Sequence, residues 1–178
     1  MIKGETIEIK KIITEVKAPK KFIDGVYIEA ELDVKSKSKI KEFSKSIGIE
    51  TPFDDYHTTV IYSKKEVSED ILEKIRYFYP KKIVIYGAVV GYEKFINEEE
   101  DIYAVVLKVE CPKLKALHEK LMKDFPLIYD YDEYIAHITL TYKGKDIDIK
   151  KLEVPNFEVK YNKLNIEPLN IDWAKEVE

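Results

Sequence analysis

Polar and apolar residues alternate along Gly25-Val26-Tyr27-Ile28-Glu29-Ala30-Glu31-Leu32, the period of a half-buried strand. From Ser38 to Ile47 the period lengthens, with Ile40, Phe43 and Ile47 at helical spacing. Gly48 marks a turn. A loop through Pro52, Asp54 and Asp55 then leads into His57-Thr58-Thr59-Val60-Ile61-Tyr62, a β-branched, aromatic run that predicts a strand. The same plan returns downstream. Asp101-Ile102-Tyr103-Ala104-Val105-Val106-Leu107-Lys108-Val109 predicts a more fully buried strand. A helix from Lys113 to Lys123 turns Leu114, Leu117, Leu121 and Met122 inward. The loop Asp130-Tyr131-Asp132-Glu133-Tyr134 then enters His137-Ile138-Thr139-Leu140-Thr141-Tyr142.

Each unit is strand, helix, loop, strand, and each closing strand opens on His-x-Thr. Tyr62 and Tyr142 follow their histidines by five residues. Further strands are predicted at Lys82 to Val90 and Phe157 to Ile166, with a helix from Ser68 to Phe78 before the former. This is the pattern of an internal duplication. The acidic turn Asn97-Glu98-Glu99-Glu100-Asp101 marks the boundary between halves. The expectation is one α+β domain over residues 1–178, with an N-terminal arm (1–24, containing a strand), a first half (25–96) and a second half (102–173).

Composition narrows the class. The chain has 178 residues, 45% hydrophobic and 36% charged, enough for one real core. No apolar run approaches the roughly 18 residues of a membrane span. The start of the chain lacks the apolar stretch of a signal peptide. The single cysteine, Cys111, excludes an internal disulfide and a cysteine-based zinc site, and is expected to be a buried, inert thiol. A cytoplasmic location is expected. The net charge of −4 argues against binding long nucleic acid, which needs a basic surface. Of the 30 basic residues only Arg76 is arginine, so phosphate has no multi-arginine clamp.

In a strand, residues two apart share a face, so His57 points with Thr59 and His137 with Thr139. Thr58, Val60 and Tyr62, and Ile138, Leu140 and Tyr142, are expected on the other face. A twofold axis relating the units brings both His/Thr pairs to one cleft. Such a cleft suits phosphodiester cleavage. One imidazole takes a proton from the attacking oxygen and the other gives one to the leaving oxygen. The threonine hydroxyls donate to the non-bridging oxygens. Which histidine plays which part is left open by the symmetry. No cofactor is called for, and no ligand pattern for a metal is evident. His118 lacks a threonine partner and is expected to be structural. Lys64, Lys65 and Lys143 read as solvated strand ends, and Asp54, Asp55, Asp130 and Asp132 as carboxylates that raise an imidazole pKa where they lie close.

The two motifs resemble those of the 2H phosphoesterase superfamily, whose members carry paired His-x-Thr/Ser motifs on a duplicated fold. Within it the chain is most similar to the phage anti-CBASS nucleases, which degrade cyclic di- and trinucleotide signals of bacterial defence. The resemblance rests on Tyr56-His57-Thr58-Thr59-Val60-Ile61-Tyr62-Ser63, on Tyr131-Asp132-Glu133-Tyr134-Ile135-Ala136-His137-Ile138-Thr139-Leu140, and on Glu167 followed by Asp172-Trp173. It implies two pseudo-symmetric lobes of antiparallel sheet with outer helices around a central cleft. It implies that His57, Thr59, His137 and Thr139 are catalytic. It also implies aromatic residues stacking on bases and an acidic residue reading a base edge. Tyr27, Tyr92 and Trp173 are the matching aromatics and Glu167 the matching acid. The expected function is hydrolysis of 3′–5′ bonds in cyclic di- or trinucleotides, countering CBASS signalling, with no membrane or long nucleic acid as partner. The alternatives are a 2H enzyme acting on RNA ends, 2′,5′ linkages or cyclic phosphates, and a protein that sequesters nucleotides without cleaving them.

Overall fold

A computed structural model describes residues 19–172. The elements run β1 (Phe22–Ile23), β2 (Val26–Leu32), α1 (Val34–Ser46), β3 (His57–Ser63), β4 (Val67–Ser68), α2 (Glu69–Phe78), β5 (Lys82–Asn97), β6 (Ile102–Glu110), α3 (Pro112–Asp124), β7 (His137–Thr141) and β8 (Phe157–Pro168). A short 3-10 turn covers Ile149–Lys151. Most of the N-terminal arm and Trp173 lie outside the described residues.

Two boundaries differ from expectation for physical reasons. The first helix starts at Val34 rather than Ser38. Asp33 caps it, its Oδ1 accepting from the Ser36 backbone N–H at 2.8 Å. Strand β5 does not end at Val90 but runs to Asn97, because β6 pairs with its second half from Gly91↔Lys108 to Asn97↔Ile102. The acidic stretch is the hairpin turn between those two strands, with Asp101 at φ 52°.

Six strands form one antiparallel sheet in the order β3-β2-β8-β5-β6-β7. Exchanging β2 with β6, β3 with β7 and β8 with β5 returns the same order reversed, so the duplication is built into the pairing. The strand that comes after each unit crosses to the other. β5 pairs with β6 of the second unit, and β8 pairs with β2 of the first. The β8–β5 ladder joins the two lobes into a continuous sheet. Its edge strands, β3 and β7, come together.

One face of the sheet carries the core. Val26, Ile28, Ala30 and Leu32 of β2, Val105, Leu107 and Val109 of β6, and Leu164 and Ile166 of β8 are all buried. Ile40 of α1, Leu72 and Ile75 of α2 and Leu114 and Leu121 of α3 join them in a single cluster. Cys111 is free and buried there, and burial pushes its thiol pKa up. Among the described residues, no helix is long and apolar enough to cross a membrane.

Candidate active site

Cross-strand register sets the other face of the sheet. In the first half, His57 lies across from Glu31 and Lys163, Thr59 from Glu29 and Asn165, and Tyr62 from Tyr27 and Glu167. In the second half, His137 lies across from Lys108 and Gly91, and Thr139 from Val106 and Glu93. Residues directly opposite share a face, so the sheet sets each His/Thr pair in a row of neighbours, polar throughout in the first half and interrupted by Gly91 and Val106 in the second.

Both motif strands bulge at equivalent points. Ile28↔Ile61 is followed by Glu29↔Thr59, leaving Val60 unpaired, and Val105↔Thr141 is followed by Val106↔Thr139, leaving Leu140 unpaired. A bulge inserts one residue and reverses the alternation beyond it. Tyr62 is therefore turned to the face of His57 and Thr59, correcting the expectation that it lies on the other face. Its ring meets Tyr27 edge-on at 6.3 Å. Tyr142 is turned likewise and hydrogen-bonds the Thr139 side chain. Burial raises its phenol pKa despite that bond.

The two motifs touch. The Thr58 hydroxyl, fully buried, donates to the His137 carbonyl oxygen at 3.0 Å and accepts from the Tyr161 hydroxyl at 2.7 Å. The loops that precede the motifs cross over as well. Phe53 packs edge-on against Tyr142 at 5.6 Å. Tyr134 donates to the Thr59 carbonyl at 2.8 Å and stacks on His118, whose Nδ1 donates to the carbonyl of the bulged Val60 at 2.7 Å. His118 is thus structural, a brace behind β3.

The two histidines sit in different surroundings. His57 Nδ1 is 3.3 Å from the Asp55 carbonyl oxygen and Nε2 is 3.1 Å from the Tyr27 hydroxyl. Glu29 Oε2 is 3.5 Å from the same Nε2. His137 Nδ1 donates to the Ile135 carbonyl at 2.7 Å, and the Phe95 ring lies against its imidazole at 5.0 Å. Burial lowers the His137 pKa, the bond to Ile135 opposes this, and the neighbouring charge of His57 lowers it further. The approach of β3 to β7, tied by the Thr58 bond to the His137 carbonyl, sets the two motifs side by side.

Several sequence expectations are placed by this geometry. His57, Thr59, His137 and Thr139 come together, with Tyr27 and Glu167 in the adjoining row. Tyr92 does not join them. The bulge at Val90 pairs Tyr92 with Leu107, on the helix-covered face. Its ring stacks on Phe43 at 6.5 Å and its hydroxyl donates to the Glu153 carbonyl at 2.6 Å. Asp54 and Asp55 are drawn off by Lys41 and Lys37. Arg76 serves α2, donating to the Ile166 carbonyl and to Glu73. The carboxylate beside His57 is Glu29, which the alternation of β2 already placed on the face of Tyr27.

Glu31 organises the polar rim. Hydrogen bonds from Lys37, joined by Lys163 and Asn165, hold its carboxyl at about 2 against burial. Among the described residues, no group of three or more His, Cys, Asp or Glu converges as metal ligands do. The arrangement supplies two imidazoles, two motif hydroxyls and tyrosine hydroxyls around one space. That suits proton transfer and stabilisation of an anionic centre.

Comparison with known proteins bears on the fold and the family. Two crystal structures share the fold. A phosphoesterase has a TM-score of 0.55 at 9% identity, over 84% of this chain and 90% of its own. Escherichia coli LigT complexed with 3′-AMP has a TM-score of 0.54 at 10% identity, over 83% and 96%. Among curated relatives, the anti-CBASS protein Acb1 of Vibrio phage KVP40 is 29% identical over 158 residues, 86% of this chain and 95% of the relative. That of Escherichia phage RB16 is 27% identical over 169 residues, 90% of each. A family profile described as anti-CBASS protein Acb1 matches residues 24–176, and on that match the chain, built on the 2H phosphoesterase fold, belongs to the Acb1 anti-CBASS family.

Proposed function

We propose that the chain is a phosphodiesterase that opens 3′–5′ bonds of cyclic di- and trinucleotide messengers in the cytoplasm of the infected cell, and so counters CBASS. The observation that carries this is the convergence of His57/Thr59 and His137/Thr139 on one face, with Thr58 bonded to the backbone of His137. In this reading one imidazole deprotonates the attacking oxygen, which is either the ribose 2′-OH or water. The phosphorus–oxygen bond to the neighbouring nucleotide breaks, and the other imidazole protonates the departing oxygen. Thr59 and Thr139 donate to the non-bridging oxygens, where negative charge accumulates. Tyr27 and Tyr62 offer ring surface to a base and Glu167, across from Tyr27, offers acceptors to a base edge. Trp173 keeps its proposed stacking role from the family resemblance. Tyr92, committed to Phe43 and Glu153, is left out of the substrate site.

The test is a panel of cyclic di- and trinucleotides incubated with the protein and EDTA, products read by mass, with 3′-ended and 2′,5′-linked RNA beside it. Linearised cyclic nucleotides are expected. Cleavage of RNA alone would move the substrate to RNA ends, and tight binding without turnover would make the protein a sponge.

A further inference from the structure

The duplication makes the two histidines equivalent in sequence, but their neighbours break the symmetry. The residue across from Thr59 is Glu29, while the residue across from Thr139 is Val106. On the next strand Asn165 stands where the other half has Glu93. A carboxylate therefore lies beside the His57 imidazole, and an isopropyl group stands at the corresponding register position of the other half.

Glu29 is fixed from two sides. Asn165 Nδ2 donates to Oε1 at 2.9 Å, and the Tyr27 hydroxyl donates to Oε2 at 2.9 Å. Only 13% of the Glu29 side chain is exposed, so this carboxylate is not a mobile surface group. Tyr27 has one proton and the carboxylate takes it. Burial, and then the Glu29 charge, push the phenol pKa far up, so that proton is not lost. The contact of Tyr27 oxygen with His57 Nε2, 3.1 Å, must then use a hydrogen on the ring. The other ring nitrogen faces the Asp55 carbonyl, which can only accept. Both nitrogens of His57 thus face acceptors, an arrangement suited to the doubly protonated ring. At His137, Nδ1–H is spent on the Ile135 carbonyl, which leaves the Nε2 lone pair as the reactive site.

We infer that Glu29, clamped by Asn165 and bridged through Tyr27, keeps a proton on His57 Nε2, making His57 the acid and His137 the base. This rests on the proposed function, in which these histidines are catalytic, and makes Glu29 a positioning residue. His137 Nε2 takes the proton of the attacking oxygen as that oxygen bonds to phosphorus. The bond from phosphorus to the leaving oxygen breaks, its electron pair stays on that oxygen, and the proton of His57 Nε2 goes to it. His57 ends neutral and His137 charged. The other charged groups facing His57 do not compete for this role. Glu31 is held by Lys37 and Lys163, Asp55 by Lys37, and Glu167 lies across from Tyr27 and Tyr62.

A leaving group that needs no proton separates acid from base. The probe is the cyclic dinucleotide cleaved fastest by the wild type, and its analogue with sulfur at the 5′-bridging position, which departs as thiolate. On the oxygen substrate His57→Ala is expected to lose about 10²–10⁴ in kcat and Glu29→Gln a smaller part of that, with KM little changed. On the sulfur substrate both are expected to approach the wild-type rate, while His137→Ala stays impaired on both. Asn165→Ala is the second variant, and its smaller loss is expected to vanish with sulfur in the same way. Equal losses of Glu29→Gln and Asn165→Ala on both substrates, or rescue of His137→Ala in place of His57→Ala, would overturn the inference alone. Failure of the wild type to cleave any oxygen cyclic dinucleotide would overturn the underlying reading, and this inference with it.

Discussion

The hydroxyl of Thr58 donates to the backbone carbonyl of His137, joining the middle residue of one motif to the first residue of the other across 3.0 Å. Thr58 is the variable position of His-x-Thr, yet it is fully buried and ties the edge strands of the sheet together. Replacing it by valine keeps the shape and strands two buried partners, the His137 carbonyl and the Tyr161 hydroxyl. A loss of about 1–3 kcal/mol in denaturant unfolding is expected, together with a lower kcat. Thr58→Ser should keep most of both. Unchanged unfolding in the valine variant would show that the link contributes nothing.

Removing the motif side chains tests the chemistry separately from the scaffold. His57→Ala and His137→Ala are each expected to lose about 10²–10⁴ in turnover with the fold retained. Thr59→Val and Thr139→Val should each cost about 10²–10³ in kcat if their hydroxyls hold the charged phosphoryl oxygens. Single-turnover rates with circular dichroism as control decide this. Near-wild-type turnover in any of the four variants removes that residue from the mechanism.

Burial lowers the pKa of His137, which gives a direction to the pH profile. A base works when neutral and is lost as pH falls through its pKa. A lowered pKa moves that loss to the acid side of 6.5, the ordinary histidine value. The ascending limb of kcat/KM is therefore expected below 6.5, and Phe95→Ala, which opens the apolar wall beside the ring, should move it upward. An ascending limb above 6.5 in the wild type would contradict the placement of His137 as base.

Glu31 links stability to pH in the opposite range. Its carboxyl is held at about 2 in the folded chain against an ordinary 4.5, chiefly by Lys37. A depressed carboxylate adds stability above 4.5 and loses it as pH falls toward 2, an effect of a few kcal/mol at most. Thermal midpoints measured from neutral pH into acid should fall less steeply for Glu31→Gln than for wild type. Parallel curves would mean that Glu31 is not coupled to folding.

Periodicity alone placed much of this molecule. The alternation of Val26 to Leu32 is the burial pattern observed, and the two motif strands begin on the histidines that mark them. Two of the three breaks in that alternation could not be read. Val60 and Leu140 have neither glycine nor proline beside them to signal a bulge, and only Val90, followed by Gly91, carried such a mark; each bulge turns the residues beyond it to the opposite face. That is why Tyr62 and Tyr142 enter the site and Tyr92 leaves it. Glu29 was legible as a neighbour of Tyr27 on the same face. Its meaning was not, because Asn165 reaches it from a strand 136 positions away. The lobes were anticipated from the resemblance, but the crossing of β5 and β8 depends on pairing between distant segments that carry no mark of it.

That crossing has a consequence for how the chain is made. The ribosome releases β2 and β3 long before β8, which must slot between β2 and β5 in the middle of the sheet. Until residues 157–168 emerge, β2 has one open edge and β5 another. The nascent first half cannot complete its sheet on its own, and the cleft with both histidines closes only once β8 has emerged. Such late, long-range pairing slows folding and leaves sticky edges exposed meanwhile. The sheet that makes the two units mutually dependent in the finished protein thus also prevents either from being active early.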